Sequence, residues 1–423
     1  MAKLLYILFL RIYSLAASLI SPFNDKAKKW IDGRKNILQT ISLAVANDAS
    51  KKIWVHCSSL GEFEQGKPVM EALKKNYPAY KLVLTFFSPS GYEVQKNFSG
   101  ADYIFYMPID GKQNVAAFFD IIQPSLIIFI KYEFWHFYLN EAKRRNICLL
   151  LVSGMFRKSQ PFFQWYGSFH QQMLCCFTHI FVQAQQALEL LHSIGVSNCS
   201  VSGDTRFDRV LEIAENFMPI PAVEEFCGNH ITIVAGSTWL DDDEALDHYV
   251  NTHPEYRFII APHDISEDRL QECEKLYKHT LRFSQTTNDK LRTSHLTPHT
   301  SNTLLIDNIG MLKYLYKYGT ICYVGGGFGG DGVHNVLEAA VYAKPVVFGP
   351  VYEKFIEASE LIEAGGAASV GDAIELEAEF DELLNNKEEC KVAGNTAGNY
   401  VKDKCGATKK VISFIQEKRL LTN

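Results

Sequence analysis

Short apolar segments alternate with segments of helical periodicity along most of this 423-residue chain. Continuously apolar runs are typical of strands buried on both faces, and strands that alternate with helices predict a parallel sheet. The alternation occurs twice, and a stretch containing Pro219 and Pro221, typical of a linker, separates the two occurrences. We therefore predict an α/β chain of two doubly wound halves. The predicted strands are Ile53–His56, Lys81–Thr85, Leu126–Ile130, Cys148–Val152 and His179–Val182, then Ile231–Ala235, Arg257–Ala261, Thr303–Ile306, Thr320–Val324 and Pro345–Phe348.

These patterns also predict where a ligand binds and where the domain boundaries lie. Ligands of open α/β sheets bind at the carboxyl ends of the strands, so we expect a binding cleft between the two halves. The segment Thr280–Asn302 is polar and lacks periodicity, which predicts a mobile loop. The predicted boundaries are 1–35 for a membrane-associated helix with a basic flank, 36–215 for the first half, 216–229 for the linker, 230–403 for the second half, and 404–423 for a C-terminal helix that packs back on the first half.

Composition excludes several classes of protein. Apolar residues make up 47% and charged residues 21% of the chain, which is typical of a globular protein. The net charge of -6 argues against nucleic acid as a partner, because binding to it needs a broad basic surface. The ten cysteines are scattered and form no Cys-x-x-Cys pair, so they indicate neither a zinc ribbon nor a disulfide framework. We interpret Cys57, which precedes a candidate site, as structural.

The N-terminus combines an apolar segment, Leu4–Ile20, with a basic flank. A cleaved signal peptide is one interpretation, but Arg11 interrupts the apolar region that such a peptide needs. A buried core helix is a second, and a helix lying in or dipping through a membrane is a third. Cations next to an apolar segment bind anionic headgroups and keep the following domain on the cytoplasmic side, which favours the anchor. These cations are Lys26, Lys28, Lys29, Arg34 and Lys35.

A glycine-rich turn, 325–330, follows a predicted strand of the second half. Its match to the dinucleotide fingerprint is weak, because no ribose-binding acid follows at the expected place. The next residues predict a helix on which His334, Asn335 and Glu338 share one face. Backbone N–H groups at such a helix start bind phosphate, and a carboxylate one turn later can accept hydrogen bonds from ribose. A tight turn with capping residues is the alternative interpretation.

Other small or polar residues stand where strands of the second half end. Ser237 and Thr238 close its first strand, and His263 closes the second. Gly310 and Met311 follow the third, where backbone groups could contact a base. Each segment alone is an ordinary strand–helix turn, and together they predict one nucleotide-binding edge.

Glu62 is the candidate catalytic residue of the first half. It ends the segment Ser58-Ser59-Leu60-Gly61-Glu62 directly after a buried strand. Gly61 permits close approach of a ligand, and a carboxylate at a strand end can take a proton from an attacking hydroxyl. An acid in the first turn of a helix also stabilises the helix dipole, and from the residues alone the two interpretations are equal.

A second carboxylate, Glu133, follows a buried strand and precedes two aromatic residues. This setting suggests contact with a sugar, and pairing with Lys131 is the alternative. Two carboxylates are also typical of glycosidases, but a hydrolase has no use for a nucleotide-binding half.

Several segments, in this order, resemble the motifs of the bacterial Kdo transferases, which move 3-deoxy-D-manno-oct-2-ulosonic acid from CMP-Kdo to a lipid A precursor. The resemblance covers nearly the whole chain, and the pairing of the Ser-x-Gly-Glu segment with the late His-Asn-x-x-Glu segment makes it specific. The segments are Trp54–Glu62, 89–91, Glu133–Trp135, Gly203–Asp208 and Gly332–Glu338.

The resemblance implies a GT-B fold, two Rossmann-like domains facing a cleft, and metal-independent transfer with inversion. It implies Glu62 as general base and an enzyme at the cytoplasmic face of the inner membrane that needs no cofactor. It also implies two sets of binding residues. Ser58, Ser59, Gly61, Glu133 and Arg206 would bind acceptor or Kdo, and Ser237, Thr238, His263, Gly310, Met311, Gly332, Asn335 and Glu338 would bind CMP.

The chain departs from the family pattern at three segments. The Glu-Thr-Glu motif is here 131–133, with Lys131 and Tyr132 in place of its first two residues. The segment Pro262-His263-Asp264 lacks the usual arginine beside the phosphate, and in 153–157 the charge is shifted to Arg157. Two alternative functions stay open: another GT-B transferase that uses a UDP-sugar and a lipid-linked acceptor, or a non-catalytic protein that binds nucleotide or lipid.

Overall fold

The computed structural model describes residues 2–287 and 300–422, which form two compact units. Unit 1 is Met1–Arg209 with Cys405–Asn423, and unit 2 is Val210–Lys404. Each unit is built on one seven-stranded parallel sheet, which confirms the predicted fold class. The strands of unit 1 are β1 Lys52–Cys57, β2 Lys81–Phe86, β3 Tyr103–Tyr106, β4 Pro124–Ile130, β5 Cys148–Gly154, β6 His179–Val182 and β7 Cys199–Val201.

The sheet of unit 1 has the order β3-β2-β1-β4-β5-β6-β7 and is covered on both faces. Successive side chains of a strand point to opposite faces, so Trp54 and Val55 of β1 enter different cores. The C-terminal helix contributes Val411 and Ile415 to the core that contains Val55. The helices are α1 Ala2–Ile20, α2 Asp25–Asp32, α3 Ile37–Val45, α4 Leu60–Asn76, α5 Pro89–Gln95, α6 Lys112–Ile122, α7 His136–Arg144, α8 Ser168–Leu174, α9 Gln185–Ser193, α10 Thr205–Glu215 and, at the end of the chain, α20 Ala407–Glu417.

The sheet of unit 2 has the order β10-β11-β9-β8-β12-β13-β14. Its strands are β8 Thr232–Thr238, β9 Arg257–Pro262, β10 Thr280–Arg282, β11 Thr303–Leu305, β12 Ile321–Val324, β13 Val346–Phe348 and β14 Ala367–Ser369. Its helices are α11 Pro221–Cys227, which lies within the predicted linker, α12 Leu240–Thr252, α13 Glu267–Leu276, α14 Phe283–Thr287, α15 Leu312–Leu315, α16 Leu337–Ala340, α17 Ile356–Ala364, α18 Ala373–Asn385 and α19 Lys387–Asp403.

The prediction of a loop over Thr280–Asn302 is wrong at its start. Residues 280–282 form β10, which pairs in parallel with β11, and α14 follows directly. Leu281 is buried in this edge strand, and its single apolar side chain is too weak a pattern to predict a strand. The part of the predicted loop over 288–299 lies outside the described residues.

The N-terminal segment forms the 19-residue helix α1. It is the one helix in the described part of the chain that is long and apolar enough to cross a membrane, judged by length and composition. Leu10 is its buried residue, whereas Leu4, Phe9 and Leu19 are more than half exposed. A core helix would bury these side chains, so the interpretation as a buried core helix is wrong.

Candidate functional site

Glu62 lies in the first turn of α4, close to the carboxyl end of the interior strand β1. The chain leaves β1 at Cys57, Ser59 is the N-cap residue in an extended conformation, and its hydroxyl donates a hydrogen bond to Glu62 Oε2. Glu62 is half-buried, and the dipole of α4 favours its negative charge. The two sequence interpretations of Glu62 are therefore compatible. At this position the carboxylate stabilises the dipole of α4 and also lies near the carboxyl end of β1.

Gly61 is exposed and is not required by the packing of unit 1. A Cβ added at Gly61 would meet Ser59 Oγ at 3.8 Å as its nearest neighbour, which is an ordinary contact. The space beside the Gly61 backbone is therefore open, as expected where a ligand approaches. Ser58 precedes Ser59 in the same segment. Its carbonyl oxygen accepts a hydrogen bond from Ser88 N–H at 2.7 Å.

Glu133 belongs to a buried hydrogen-bond network at the ends of β1, β2 and β4. Its Oε2 lies 3.0 Å from His56 Nε2 and accepts from Trp135 Nε1 at 2.5 Å. His56 Nδ1 lies 2.8 Å from Thr85 Oγ1, which also accepts from Trp54 Nε1. Glu133 is 3% exposed, so it anchors the loop 131–135 from inside. Its predicted contact with a sugar stays a prediction.

Arg206 lies in the first turn of α10. Its guanidinium is paired with Asp204, with Nε and Nη2 both 2.8 Å from Oδ2, and a quarter of its side chain is exposed. Thr205 Oγ1 donates to the carbonyl of Gln65 in α4 at 2.5 Å. Although α10 follows the edge strand β7, its start is thus held against the helix that carries Glu62. The role of Arg206 in binding Kdo stays a prediction.

The glycine-rich turn after β12 packs against the end of β8. A Cβ at Gly325 would lie 2.5 Å from the Ser237 carbonyl oxygen, so only glycine allows this approach. Gly326, with φ of 91°, donates its N–H to Asp242 Oδ2 at 2.8 Å. Asp242 is fully buried and also accepts from Tyr323 Oη at 2.7 Å. The turn is therefore fixed by packing and by Asp242, a residue that the sequence motifs did not reveal.

Three aromatic rings join the ends of β8, β9 and β12. Trp239 stacks on His263 with ring centroids 4.5 Å apart, and His263 stacks on His334 at the same distance. Trp239 Nε1 donates to His334 Nε2 at 3.1 Å, so this nitrogen is unprotonated. Burial, and then the charge of His263, lower the pKa of His334. The stack brings Thr238, His263 and the 332–335 segment to one edge.

The prediction that His334, Asn335 and Glu338 share one face of a helix is wrong. Helix α16 begins at Leu337, so His334 and Asn335 precede it and only Glu338 lies within it. Asn335 Oδ1 accepts from Leu337 N–H at 3.3 Å, and its Nδ2 donates to Glu338 Oε1 at 3.1 Å. Gly332 has φ of 91°, and an added Cβ would lie 2.8 Å from the Phe355 ring. Gly332 therefore serves the turn itself.

Gly310 and Met311 lie in the loop that follows β11, beside β9 in the sheet. Gly310 is exposed with φ of 95°, and Met311 Sδ accepts from Asn308 Nδ2 at 2.9 Å. The residues predicted to bind CMP thus stand at the carboxyl ends of β8, β9, β11 and β12. These four strands lie side by side in the sheet of unit 2.

Comparison with known proteins agrees with this architecture. Residues 34–209 match the family model described as 3-deoxy-D-manno-octulosonic-acid transferase. The 3-deoxy-D-manno-octulosonic acid transferase of Aquifex aeolicus is 28% identical over 347 residues, covering 80% of this chain and 88% of the relative. That of Haemophilus influenzae is 24% identical, covering 86% of each chain. The solved UDP-GlcNAc 2-epimerase of Neisseria meningitidis shares the fold, with a TM-score of 0.61 at 16% identity, covering 86% of this chain and all of that one.

Two seven-stranded parallel sheets, each in its own unit, together with these matches define a glycosyltransferase of the GT-B class. Within that class, the family model matched over residues 34–209 and the similar transferases of Aquifex aeolicus and Haemophilus influenzae support a bacterial 3-deoxy-D-manno-octulosonic acid (Kdo) transferase. The predicted family, fold and enzyme class are therefore confirmed.

Proposed function

We propose that this enzyme transfers Kdo from CMP-Kdo to a lipid A precursor in lipopolysaccharide biosynthesis, with inversion and without a metal ion or cofactor. It works at the cytoplasmic face of the inner membrane. The acceptor hydroxyl attacks the anomeric carbon of Kdo while the bond from that carbon to the CMP phosphate oxygen breaks. The hydroxyl proton passes to Glu62, and CMP leaves with the bonding electron pair.

The observation that carries this proposal is the position of Glu62. A half-buried carboxylate lies beyond the end of the interior strand β1, next to open space at Gly61, and is held by the Ser59 hydroxyl. A general base must be fixed within hydrogen-bond reach of the proton that it takes. The hydrogen bond from Ser59 supports this role, because it restricts the rotation of the carboxylate.

Unit 2 would bind the donor. Ser237, Thr238 and the 325–335 turn would hold the phosphate, Gly310 and Met311 the base, and Glu338 the ribose. The family's phosphate-side arginine is missing, and we assign its role to His263 with His334, since imidazole N–H groups donate hydrogen bonds to phosphate. Their stacking at the strand ends, 4.5 Å apart, supports this assignment.

Release of CMP from CMP-Kdo in the presence of a lipid A precursor tests the reaction. We expect release with the purified chain and a rate lower by about 10²–10⁴ for Glu62→Ala. Undiminished release by Glu62→Ala would remove Glu62 from the mechanism, and no release by the wild type would favour a non-catalytic binding protein. Chelation with EDTA should leave the rate unchanged.

Thermal protection by nucleotides tests the donor. CMP should raise the melting temperature of the full chain more than UDP does at equal concentration, because bound ligand stabilises the native state. Protection by UDP but not by CMP would instead identify a transferase that uses a UDP-sugar.

A further inference from the structure

Helix α1 is attached along unit 1 by one of its faces. Tyr6 Oη donates to Asp110 Oδ2 at 2.5 Å, Leu10 is buried, and the Tyr13 ring lies edge-on to Trp30 with centroids 5.3 Å apart. Positions 6, 10 and 13 fall on the same side of a helix. Helix α1 therefore lies along the surface of unit 1 for about two turns.

The opposite face of α1 is exposed and is apolar except for Arg11, which lies beside Leu8 and Leu15. A helix that spans a bilayer must leave the water-soluble domain, whereas this one keeps its inner face on polar partners such as Asp110. An amphipathic helix of this kind lies in the membrane interface with its apolar face toward the lipid. The exposed residues, each more than half accessible, are Leu4, Leu5, Leu8, Phe9, Ile12, Leu15, Leu19 and Ile20.

Basic groups stand at both ends of this apolar face. At its C-terminal end, α2 carries Lys26, Lys28 and Lys29. At its N-terminal end, residues of α1, α6, α7 and α8 line an open cavity of about 470 Å³. Cations at both ends place both ends at the level of the headgroups, which is the position expected for a helix in the membrane plane.

The cavity has the chemistry of an anion site. Lys3, Lys112 and Arg144 line it together with one carboxylate, Glu141, which Arg144 binds through Nε at 2.8 Å and Nη2 at 2.6 Å. Positive charge is therefore in excess. The remaining walls are apolar or neutral, and Lys3 Nζ lies 5.4 Å from the centroid of the Phe137 ring.

We propose that α1 lies in the plane of the bilayer and that this cavity binds the phosphate headgroup of an anionic phospholipid of the same leaflet. The proposal rests on the membrane location given above and goes beyond it by fixing the orientation of unit 1 and a lipid site. It does not depend on the donor or on Glu62.

Flotation of the full chain with vesicles of phosphatidylcholine, with and without phosphatidylglycerol, tests whether binding depends on the negative charge of the lipid. We expect phosphatidylglycerol to strengthen binding and Lys3→Gln/Lys112→Gln to weaken it about 25-fold, near fivefold per lysine. The control Lys275→Gln/Lys402→Gln removes two exposed cations of unit 2 and should bind as the wild type does. Equal binding to both vesicles, or equal loss in the control, would overturn the lipid site.

A neutral change separates the cavity from diffuse surface charge. Gln172→Trp, at an exposed position that lines the cavity, should fill it and weaken binding to phosphatidylglycerol vesicles about tenfold. Unchanged binding would show that only surface charge acts, and a gain with a phosphorylated lipid A precursor but none with phosphatidylglycerol would assign the cavity to the acceptor. Both results overturn the proposal.

The orientation of α1 has its own test. Leu8→Glu/Leu15→Glu places charges on the outer face and should abolish binding to both kinds of vesicle, and wild-type binding by this variant would overturn the in-plane arrangement. Thermal protection by CMP is measured on every variant. It reports on unit 2, so a failure of the lipid site is distinguishable from a failure of the proposed transfer.

Discussion

His56 Nε2 lies 3.0 Å from Glu133 Oε2, and both side chains are buried where two neighbouring strands end. His56 belongs to β1 and Glu133 follows β4, so this bond ties the loop after β4 to the strand that leads to Glu62. Buried polar groups need such partners, because an unpaired one keeps its full desolvation penalty. The pair therefore fixes the backbone beneath the candidate base.

Removing Glu133 should destabilise unit 1. Glu133→Ala leaves His56 and Trp135 without this partner, and we expect the free energy of unfolding to fall by about 1–3 kcal/mol, the penalty of leaving a buried polar group without its hydrogen bond. Glu133→Gln keeps an acceptor for both and should lose less. Urea unfolding measures the difference. Glu189→Ala, an exposed carboxylate on α9, is the control, and an equal effect there would contradict the argument.

The interior of the fold was predictable from the sequence, and the edges of its sheets were not. Every predicted strand lies in an observed strand of the same sheet or overlaps one, because a central strand is apolar on both faces. The four that were missed, β3, β7, β10 and β14, are the sheet edges. They have three or four residues and are partly exposed, so no continuous apolar run marks them.

Gly61→Ala should separate stability from activity. Gly61 is helical and the space for a Cβ is open, so alanine should stabilise α4 by up to about 1 kcal/mol while it narrows the approach to Glu62. We expect unchanged or higher thermal stability and slower CMP release. Gly66→Ala is the comparison, because its Cβ would lie 3.1 Å from Cys57 Sγ in the core and should lower stability. Full activity of Gly61→Ala would show that ligand does not approach there.

Asp110 should make the stability of unit 1 depend on pH. Burial raises the pKa of Asp110 from 3.8 to about 6, against hydrogen bonds from Tyr6 and two backbone N–H groups that lower it. Between these values the folded state binds more protons than the unfolded state, so stability falls as pH rises from 3.8 to about 6, by about 3 kcal/mol. Asp110→Asn should remove this slope in urea unfolding measured across that range. If the pH dependence of stability persists in Asp110→Asn, other titratable groups cause it.

The candidate site was predictable as a set of strand ends, but not in its contacts. Motif spacing placed Ser237, His263 and Glu338 on one edge, because parallel strands share their carboxyl side. Trp239 and Asp242 were not identified, since their partners His334 and Gly326 lie 95 and 84 residues away in the sequence. A histidine inside an apolar strand was the one available signal for His56, as it requires a buried partner.

CMP should bind more tightly as the pH falls, because His334 becomes protonated. Burial and His263 lower the pKa of His334 in the free protein, while Asp242 and Asp331 act in the opposite direction. A bound phosphate favours the protonated ring, so binding takes up a proton, and affinity should rise by up to about tenfold per pH unit below neutrality. Protonation also ends the hydrogen bond from Trp239 Nε1, which leaves a donor on His334 free for phosphate.

Calorimetry in buffers of different ionisation enthalpy measures the proton uptake. His334→Gln should abolish it, whereas His248→Gln, an exposed histidine on α12, should not. Proton uptake that survives His334→Gln would exclude His334 as the phosphate contact.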